Sequence, residues 1–310
     1  MITVLAGGIG AARFLQGLLR VHPPSAITII SNVGDDAEFF GLHVSPDIDA
    51  VLYHLSGLAN EEQGFGLRGD THRVLDSLAR FGYDTWFKLG DADLATCLAR
   101  TDLLSRGRTL SQVTAELADA FVVPARMIPV TDDRLRTKIR TEDGVVDFQE
   151  YFVKRRTEGH AWEVILEGVE QARPAPGVTD AIHNASAVLL TPSNPLVSIA
   201  PILAVPGVRE ALKETSARVA AVSPIVGGRA IKGPAARMLQ DQNMAASPIT
   251  IAELYRDFLD VLIVDNADES LAPEIEAMGL EVAVTDTIMS SMDKKSALAR
   301  AVLAAVDRDS

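Results

Sequence analysis

Residues 1–19 read MITVLAGGIGAARFLQGLL, and the fold is decided there. Residues 2–6 are apolar and β-prone, which predicts a short buried strand. After the glycines, the apolar positions recur at the spacing of one helix face. A second apolar run, residues 27–30, follows at the distance that closes a β-α-β unit. The stretch therefore predicts that an α/β sheet begins at residue 2.

The loop between that strand and helix contains Gly7, Gly8 and Gly10. Glycines there allow a tight turn and leave the first helical N–H groups open to an anion. The loop departs from the dinucleotide fingerprint, because Arg13 occupies the place of the third glycine and no acidic residue ends the second strand. Arg13 suits a phosphate or a carboxylate. We interpret the loop as nucleotide-phosphate binding but not as an NAD site; the alternative is a tight turn without a ligand.

Composition and charge limit the function classes. The 310 residues are 47% apolar and 23% charged, as in ordinary globular proteins. A net charge of -13 argues against nucleic-acid binding and against binding to anionic membranes. The single cysteine, Cys97, excludes an internal disulfide and a cysteine-built metal site. We find neither a signal peptide nor a membrane helix in the sequence, so we expect a cytoplasmic protein.

Strand-like runs recur along the chain with helical segments between them. Most are continuous apolar runs, as expected for parallel strands covered on both faces. We predict a doubly wound, mostly parallel, Rossmann-like sheet whose ligands lie beyond the carboxyl ends of its strands. The predicted strands are ITVLA (2–6), AITIIS (26–31), TWFKLG (85–90), SAVLLT (186–191), RVAAVS (218–223), VLIVD (261–265) and LEVAVT (280–285).

One region differs from this pattern. Within residues 126–169, residues alternate on either side of Asp143-Gly144, which is a hairpin signal. We interpret 126–169 as a small α+β insertion that forms a lid or a dimer surface. The α/β core, which would bind the nucleotide, is then made of residues 1–125 and 170–310.

Acidic residues follow the second strand and recur after Pro46. In an extended segment Asp47 and Asp49, two residues apart, would share a face and could hold one hard cation. The alternative is that Asp47 caps a helix that starts near Ile48, which leaves Asp49 free. Further along, Asp70 looks like a helix start.

Lys88 stands at the end of a predicted buried strand, and Asp91 and Asp93 lie just beyond it. A cation in such a place usually has an anionic partner. For Asp91, helix capping is the favoured role. Lys88 is therefore the candidate for binding an anionic or polar substrate group.

Two later loops point to an anionic ligand. Ser193 and Asn194 follow a buried strand in a short polar turn that could bind a phosphate or a base edge. Gly227 and the residues after it form a flexible loop whose basic side chains are Arg229, Lys232 and Arg237. From the residues alone, the function is a nucleotide-dependent enzyme that performs metal-assisted transfer of a phosphorus-containing group.

The order and spacing of several motifs resemble the 2-phospho-L-lactate transferase family, whose actinobacterial members use phosphoenolpyruvate and which acts in coenzyme F420 biosynthesis. These motifs are GGIGAARFLQGL, SPDIDAVLY, KLGDADLA, DDRLRTKI, PSNPLVSIAPI, VSPIVGG, GPAARM and TDTIMSSMDKKSALA. The resemblance implies an α/β fold, often a homodimer, that uses Mg2+. The substrates it implies are the deazaflavin Fo and a guanosine-diphosphate-activated three-carbon acid, and GMP is released.

The resemblance also assigns residues. The aspartate of SPDID and the lysine of KLGD, here Asp49 and Lys88, match deazaflavin-site positions. We assign Asp49 as the catalytic residue and Asp49 with Asp70 as the metal ligands. Ala92 and Cys97 depart from the arginine and histidine that many members carry, which puts substrate contacts near them in doubt.

The transferred group is either phosphoenolpyruvyl or 2-phospholactyl, and 3-phosphoglycerate is a further possible donor acid. The first loop, GGIGAARFL, resembles bacterial members more than archaeal ones, which favours phosphoenolpyruvyl. A different class of function remains open, because UDP-sugar-binding regulatory proteins of the gluconeogenesis-factor type share the glycine loop and the VGDD turn.

Overall fold

The computed structural model describes residues 1–231 and 233–307. The strands are β1 (Ile2–Ala6), β2 (Ile27–Ser31), β3 (Ala37–Phe39), β4 (Leu42–Val44), β5 (Arg126–Pro129), β6 (Arg136–Thr141), β7 (Gly144–Asp147), β8 (Glu163–Glu167), β9 (Ala187–Leu190), β10 (Arg218–Val222), β11 (Ile225–Val226), β12 (Arg229–Ala230), β13 (Val261–Asp265) and β14 (Glu281–Thr285). The α-helices are α1 (Gly8–Val21), α2 (Pro46–Leu55), α3 (Arg73–Arg80), α4 (Asp91–Ser105), α5 (Leu110–Ala120), α6 (Val178–His183), α7 (Ala200–Ala204), α8 (Val208–Glu214), α9 (Ala235–Asp241), α10 (Pro248–Tyr255), α11 (Ala272–Glu276) and α12 (Met292–Val306).

A parallel sheet of seven strands forms the centre of the fold, in the order β14-β13-β10-β9-β1-β2-β5. Every residue of β1, β2, β9 and β13 is buried, which explains why these segments are continuous apolar runs. In β1, Ala6 pairs with Ser31 of β2, and Leu5 pairs with Leu190 of β9. The loops that follow these strands therefore meet at one edge, and the predicted α/β fold is confirmed.

Helix α1 packs between α2 and α12. Its apolar face buries Phe14, Leu15 and Leu18 completely, and each such side chain contributes roughly 1.5–3 kcal/mol. A Cβ atom on Gly17 would lie 2.2 Å from the carbonyl oxygen of Lys295, so only glycine permits this approach of α12.

The predicted strand TWFKLG (85–90) is wrong, because residues 83–90 form neither a strand nor a helix. Its aromatic side chains pack instead on the β3–β4 hairpin, where the Phe87 ring stacks on Phe39 with centroids 4.1 Å apart. The seventh position of the sheet belongs to β5, which pairs with β2. Lys88 consequently lies in a loop and not at the end of a strand.

The region predicted as an insertion contains an antiparallel sheet in the order β7-β6-β8. Its hairpin turns where predicted, since Thr141 pairs with Gly144, whose φ of 116° suits glycine. The boundary at residue 126 differs from the structure, because Arg126–Pro129 is the edge strand of the main sheet. The short RMIP strand pairs with β2 in parallel, which its four residues alone do not reveal.

Over residues 1–231 and 233–307, no single helix combines the length and hydropathy needed to cross a membrane; Pro195–Ala204 and Val208–Glu214 meet these limits only together, bent by 83°.

Candidate active site at the carboxyl edge of the sheet

The glycine loop is held tightly against the segment that follows β9. Gly7 precedes the first turn of α1, and Gly8 has a φ of 73°. A Cβ on Gly7 would lie 2.7 Å from Cβ of Ser198, and one on Gly10 would lie 2.4 Å from the Pro192 carbonyl oxygen. These contacts explain the glycines by packing, as a tight turn requires. Phosphate binding by Gly7, Gly8 and Gly10 stays a prediction.

Ser193 and Asn194 make contacts within the protein. The Ser193 hydroxyl donates to the Gly7 carbonyl at 2.7 Å, which ties the turn after β9 to the glycine loop. The Asn194 side-chain oxygen accepts from the Leu196 N–H at 2.9 Å and caps the π-helical turn Pro195–Ile199. The two residues therefore shape the loop where phosphate binding was predicted.

Three buried carboxylates, those of Asp35, Asp36 and Asp47, lie beyond the ends of β1 and β2. Asp47 accepts a hydrogen bond from the Asn32 side chain at 2.8 Å and one from the Gly8 N–H. Burial raises the pKa of Asp47 to about 7, and Asp36 adds to this. The first backbone N–H of α1 is thus already paired with a carboxylate, which an incoming phosphate would have to share or displace.

Asp35 and Asp36 each keep one carboxylate oxygen without a partner. Gln149 donates to Oδ2 of Asp35 at 3.2 Å, and the Ser45 hydroxyl donates to Oδ2 of Asp36 at 2.9 Å. The Oδ1 atoms of both aspartates are buried and have no hydrogen-bond partner among the described residues. Burial, then Asp47 and Asp36, raise the pKa of Asp35 well above its ordinary value. Unpaired buried carboxylate oxygens are costly, so this pair is suited to a cation.

Asp49 is paired with a buried arginine. Both Asp47 and Asp49 lie in the first turn of α2, with Ser45 as its N-cap. The expected shared face of an extended segment is therefore wrong, because residues two apart in a helix point about 200° apart. Capping by Asp47 of a helix near Ile48 is also wrong, since α2 begins at Pro46.

The partner of Asp49 is Arg100 of α4, which is 0% exposed. Its Nη1 donates to Oδ2 of Asp49 at 3.1 Å, and its Nη2 contacts Oδ1. Burial alone would lower the pKa of Arg100, but the Asp49 carboxylate raises it above its ordinary value. Asp49 is thus fixed in one orientation by an arginine that stays charged.

Asp70 and Asp91 cap each other's helices. The Asp70 carboxylate accepts from the backbone N–H groups of Ala92 and Asp93, at the start of α4. Asp91 accepts from the N–H groups of Arg73 and Val74, at the start of α3. These reciprocal hydrogen bonds fix the starts of α3 and α4 to each other. The Asp70 carboxylate also stabilises α4, because it lies at the positive end of the helix dipole.

Lys88 lies beside this pair of helix starts. Its side chain is exposed and lines a small cavity together with Asp70 and Asp93. Burial raises the pKa of Asp93 to about 6, and the Asp49 and Asp70 carboxylates contribute. The negative charges of both aspartates assigned as metal ligands, Asp49 and Asp70, therefore act on the Asp93 carboxyl. In the described part of the chain no three His, Cys, Asp or Glu side chains are grouped to hold a metal ion.

The glycines after β10 form a hairpin turn. Gly227 and Gly228, both at positive φ, join β11 to β12. The Gly227 N–H donates to the Asp268 carboxylate at 3.0 Å, while Arg229 is exposed. Lys232, in the same basic loop, lies outside the described residues.

Arg13 is half-buried on α1, and its Nε atom is buried without a hydrogen-bond partner in the described structure. The arginine lies close enough to His54 of α2 to contribute to the lowered pKa of that imidazole, whose main cause is burial. Anion binding by Arg13 stays a prediction.

The model of the family described as 2-phospho-L-lactate transferase CofD matches residues 2–303. The chain belongs to this family. The predicted resemblance is confirmed, and the match does not favour the UDP-sugar-binding alternative.

Relatives of the 2-phospho-L-lactate transferase family match over nearly full length. A Streptomyces griseus protein named phosphoenolpyruvate transferase is 43% identical over 308 residues, which cover 97% of each chain. A Methanocaldococcus jannaschii protein named 2-phospho-L-lactate transferase is 40% identical, covering 98% of this chain and 97% of its own. The solved structure of a Bacillus halodurans protein of the upf0052 family has a TM-score of 0.64 at 18% identity, with 97% and 98% of the two chains covered, and shows the fold alone.

Sequence reasoning for this transferase family member missed Arg100 as a site residue. Nothing local marks it, because its importance comes from its pairing with Asp49, which is 51 residues away in the chain. Asp35 and Asp36 did carry a signal, the VGDD turn after β2, but no role was assigned to them.

Proposed function

We propose that the protein transfers a phospho-three-carbon-acid group from its guanosine diphosphate ester to the terminal hydroxyl of the deazaflavin Fo and releases GMP, in coenzyme F420 biosynthesis. The observation that carries this proposal is the full-length match to a family and to relatives named as transferases of this kind. A polar site with buried carboxylates at the carboxyl edge of the sheet supports it, because doubly wound folds bind ligands there.

The reaction needs alignment more than covalent chemistry from the protein. The oxygen of the Fo hydroxyl forms a bond to the phosphorus that bears the three-carbon acid. The bond from that phosphorus to the bridging oxygen breaks, and GMP leaves with the electron pair. Asp49, which Arg100 fixes in place, accepts the hydroxyl proton in this proposal. General base catalysis of this kind typically contributes about 10²- to 10⁴-fold.

Lys88 contacts the deazaflavin in this proposal, because it is an exposed cation that lines a cavity together with Asp70. In this assignment the donor's phosphates lie at the start of α1, near Gly7, Gly8, Gly10, Ser193 and Asn194, and Gly227 of the β11–β12 turn is assigned to the same ligand. Arg13 and Arg229 are the cations assigned to the donor's phosphates and carboxylate; the Nε atom of Arg13 has no hydrogen-bond partner in the described structure, and Arg229 is exposed.

Mg2+ is part of the proposal, and Asp35 and Asp36 are the residues that suit it best. Asp49 and Asp70, the ligands first assigned, both use their carboxylates inside the protein, with Arg100 and with backbone N–H groups. Asp35 and Asp36 fit better, since each has a buried carboxylate oxygen without a partner. Two carboxylates plus substrate phosphates are a usual Mg2+ environment. A bound Mg2+ would neutralise charge on the diphosphate.

We also propose that the protein acts as a cytoplasmic homodimer, with residues 126–169 as the dimer surface or a lid. The support is the family resemblance, and the acidic net charge of -13 argues against a nucleic-acid partner.

The donor acid is proposed to be phosphoenolpyruvate, with 2-phospholactate second. Relatives of both names match at 43% and 40% identity. Recognition of one small apolar group is worth only about 1–3 kcal/mol, so few residues decide between the donors. The test is to supply Fo, Mg2+ and equal amounts of the guanosine diphosphate esters of phosphoenolpyruvate, 2-phospholactate and 3-phosphoglycerate, and to measure product masses. A dominant phosphoenolpyruvyl product supports the proposal, and a dominant phospholactyl product contradicts the choice of donor.

A further inference from the structure

The loop of residues 58–70, between α2 and α3, forms part of the wall of a cavity that the exposed Lys88 side chain also lines. Asn60, Gln63 and Phe65 of this loop lie on one side of the cavity, and Lys88 and Asp93 lie on the other. The space left between them is about 20 Å3, enough for one water molecule and far too little for a fused-ring substrate. A ligand that contacts Lys88 from this side therefore enters only when the 58–70 loop moves.

The 58–70 loop is internally bonded. The Asn60 N–H donates to the Gly66 carbonyl at 2.9 Å, and the Arg68 N–H donates to the Leu58 carbonyl at 2.8 Å. At its two ends, Gly57 and Gly69 have φ values of 74° and 73°. A Cβ on either glycine would meet no atom within 4 Å, so packing does not hold these positions. Because Leu58 and Ala59 are bonded to α2 and Asp70 is bonded to α4, the part suited to move is the tip of the loop, residues 60–66.

The Glu61 side chain bonds the tip of the 58–70 loop to two core helices, α1 and α12. Its Oε1 accepts from the Gln16 side chain of α1 at 3.0 Å, and its Oε2 lies 3.4 Å from Nζ of Lys295 in α12. Lys295 is only 4% exposed, and its Nζ also donates to Gln16 at 2.6 Å. The carboxylate, half-exposed itself, thus closes a network whose lysine is buried. Loss of Glu61 would leave that lysine without a carboxylate partner among the described residues.

The groups around the cavity suit a planar heterocycle with polar edges. Phe65 is 49% exposed although it is large and apolar, so its ring is available for stacking. The side-chain amides of Asn60 and Gln63 can donate and accept hydrogen bonds at the edge of such a ring. On the opposite wall, Lys88 supplies a positive charge.

We propose that the tip of the 58–70 loop, residues 60–66, is a lid over the acceptor, with Phe65 lying against the ring system and Glu61 acting as the latch that holds the lid closed. This inference rests on the proposed function, because it takes the deazaflavin as the ligand that Lys88 contacts. Phe65 is then a binding residue, and Glu61 is a positioning residue that acts through the loop.

The test of Phe65 compares two single variants in steady-state kinetics. Phe65→Ala is expected to raise KM for Fo about tenfold, the loss of one aromatic stacking contact, and to leave KM for the donor unchanged. Phe81→Ala is the matched control, because Phe81 is 78% exposed and lies outside the cavity. It is expected to change neither KM. Equal effects of Phe65→Ala on both substrates, or none on Fo, would overturn the proposal.

The test of Glu61 uses hydrogen exchange of the ligand-free protein. Glu61→Ala is expected to increase amide exchange within residues 58–70 and to leave exchange in β1 and β2 unchanged. Glu61→Gln keeps a hydrogen-bonding side chain and is expected to give an intermediate rate. Unchanged exchange in the loop would contradict the latch. If the wild type neither binds nor converts Fo, the proposed function fails as well; if it converts Fo while Phe65→Ala behaves as wild type, only the lid fails.

Discussion

Arg100 and Asp49 form a buried ion pair that joins α4 to α2. Arg100→Met would leave the Asp49 carboxylate buried without its cation, and we expect it to lower the free energy of unfolding by roughly 3–5 kcal/mol. The measurement is urea unfolding of the wild type and the variant. Arg106→Met is the control, because the Arg106–Asp102 pair is exposed and is worth about 0–1 kcal/mol.

The double variant Asp49→Leu/Arg100→Met separates stability from catalysis. Removing both charges avoids the unpaired buried group, so we expect much of the lost stability to return. We expect the double variant to have no turnover, because Asp49, the proposed base, is replaced. A double variant that is both stable and fully active would show that the pair is only structural.

Asp47 predicts a pH dependence of stability. Burial raises its pKa from 3.8 to about 7 in the folded protein. Between these values the folded state holds a proton that the unfolded state has lost, so the free energy of unfolding falls as the pH rises, by up to about 1.4 kcal/mol per pH unit. This stability is fully present below pH 3.8 and is lost as the pH passes about 7.

Asp47→Asn is expected to reduce that slope, as measured by urea unfolding at several pH values between about 5 and 8 in the absence of metal. Asp119→Asn, at an exposed position of α5, is the control and should leave the slope unchanged. The same slope in Asp47→Asn and wild type would contradict the assignment to this carboxylate.

Gly10 allows α1 to approach the chain after β9. Gly10→Ala places a Cβ 2.4 Å from the Pro192 carbonyl oxygen, so the helix start has to shift. We expect a loss of roughly 1–3 kcal/mol in stability and a weaker affinity for GMP, because the two loops are displaced together. Calorimetry of GMP binding and thermal unfolding test this. Normal values of both would show that the contact relaxes without cost.

Lys88 is predicted to serve the acceptor and not the donor. Lys88→Ala should weaken Fo binding in a fluorescence titration while GMP affinity stays the same. Lys154→Ala is the control. Lys154 lies over the Trp86 ring, two residues before Lys88 in the chain, but its Nζ is paired with Asp84 at 2.8 Å. Equal Fo affinity in Lys88→Ala and wild type would refute the role of Lys88.

The sequence predicted the sheet well where strands are buried on both faces. The runs that became β1, β2, β9, β10 and β13 are continuous and apolar, and burial on both faces is the common cause of this pattern. The edge strand β14 is only partly buried. TWFKLG (85–90) has a similar composition, but its aromatic rings pack on the β3–β4 hairpin, a contact between segments far apart in the chain. Composition alone could not distinguish that cluster from a strand.

The candidate site was predicted only in part, for the same reason. The loops follow from the fold, since parallel strands bring their carboxyl ends to one edge. The pairings within those loops do not follow, because Arg100 reaches Asp49 and Asp70 reaches the start of α4 through tertiary contacts. Local sequence shows which side chains are available, and the packing decides which of them are already paired.

The central claim is tested most directly by measuring how many GMP molecules are released for each Fo consumed. Purified protein is incubated with Fo, Mg2+ and the guanosine diphosphate ester of phosphoenolpyruvate, and Fo consumption and GMP release are followed together. The account predicts one GMP for each Fo consumed, with the phosphorus retained in the deazaflavin product. Release of GMP without loss of Fo, or binding of Fo without any product from any of the three donors, would contradict it.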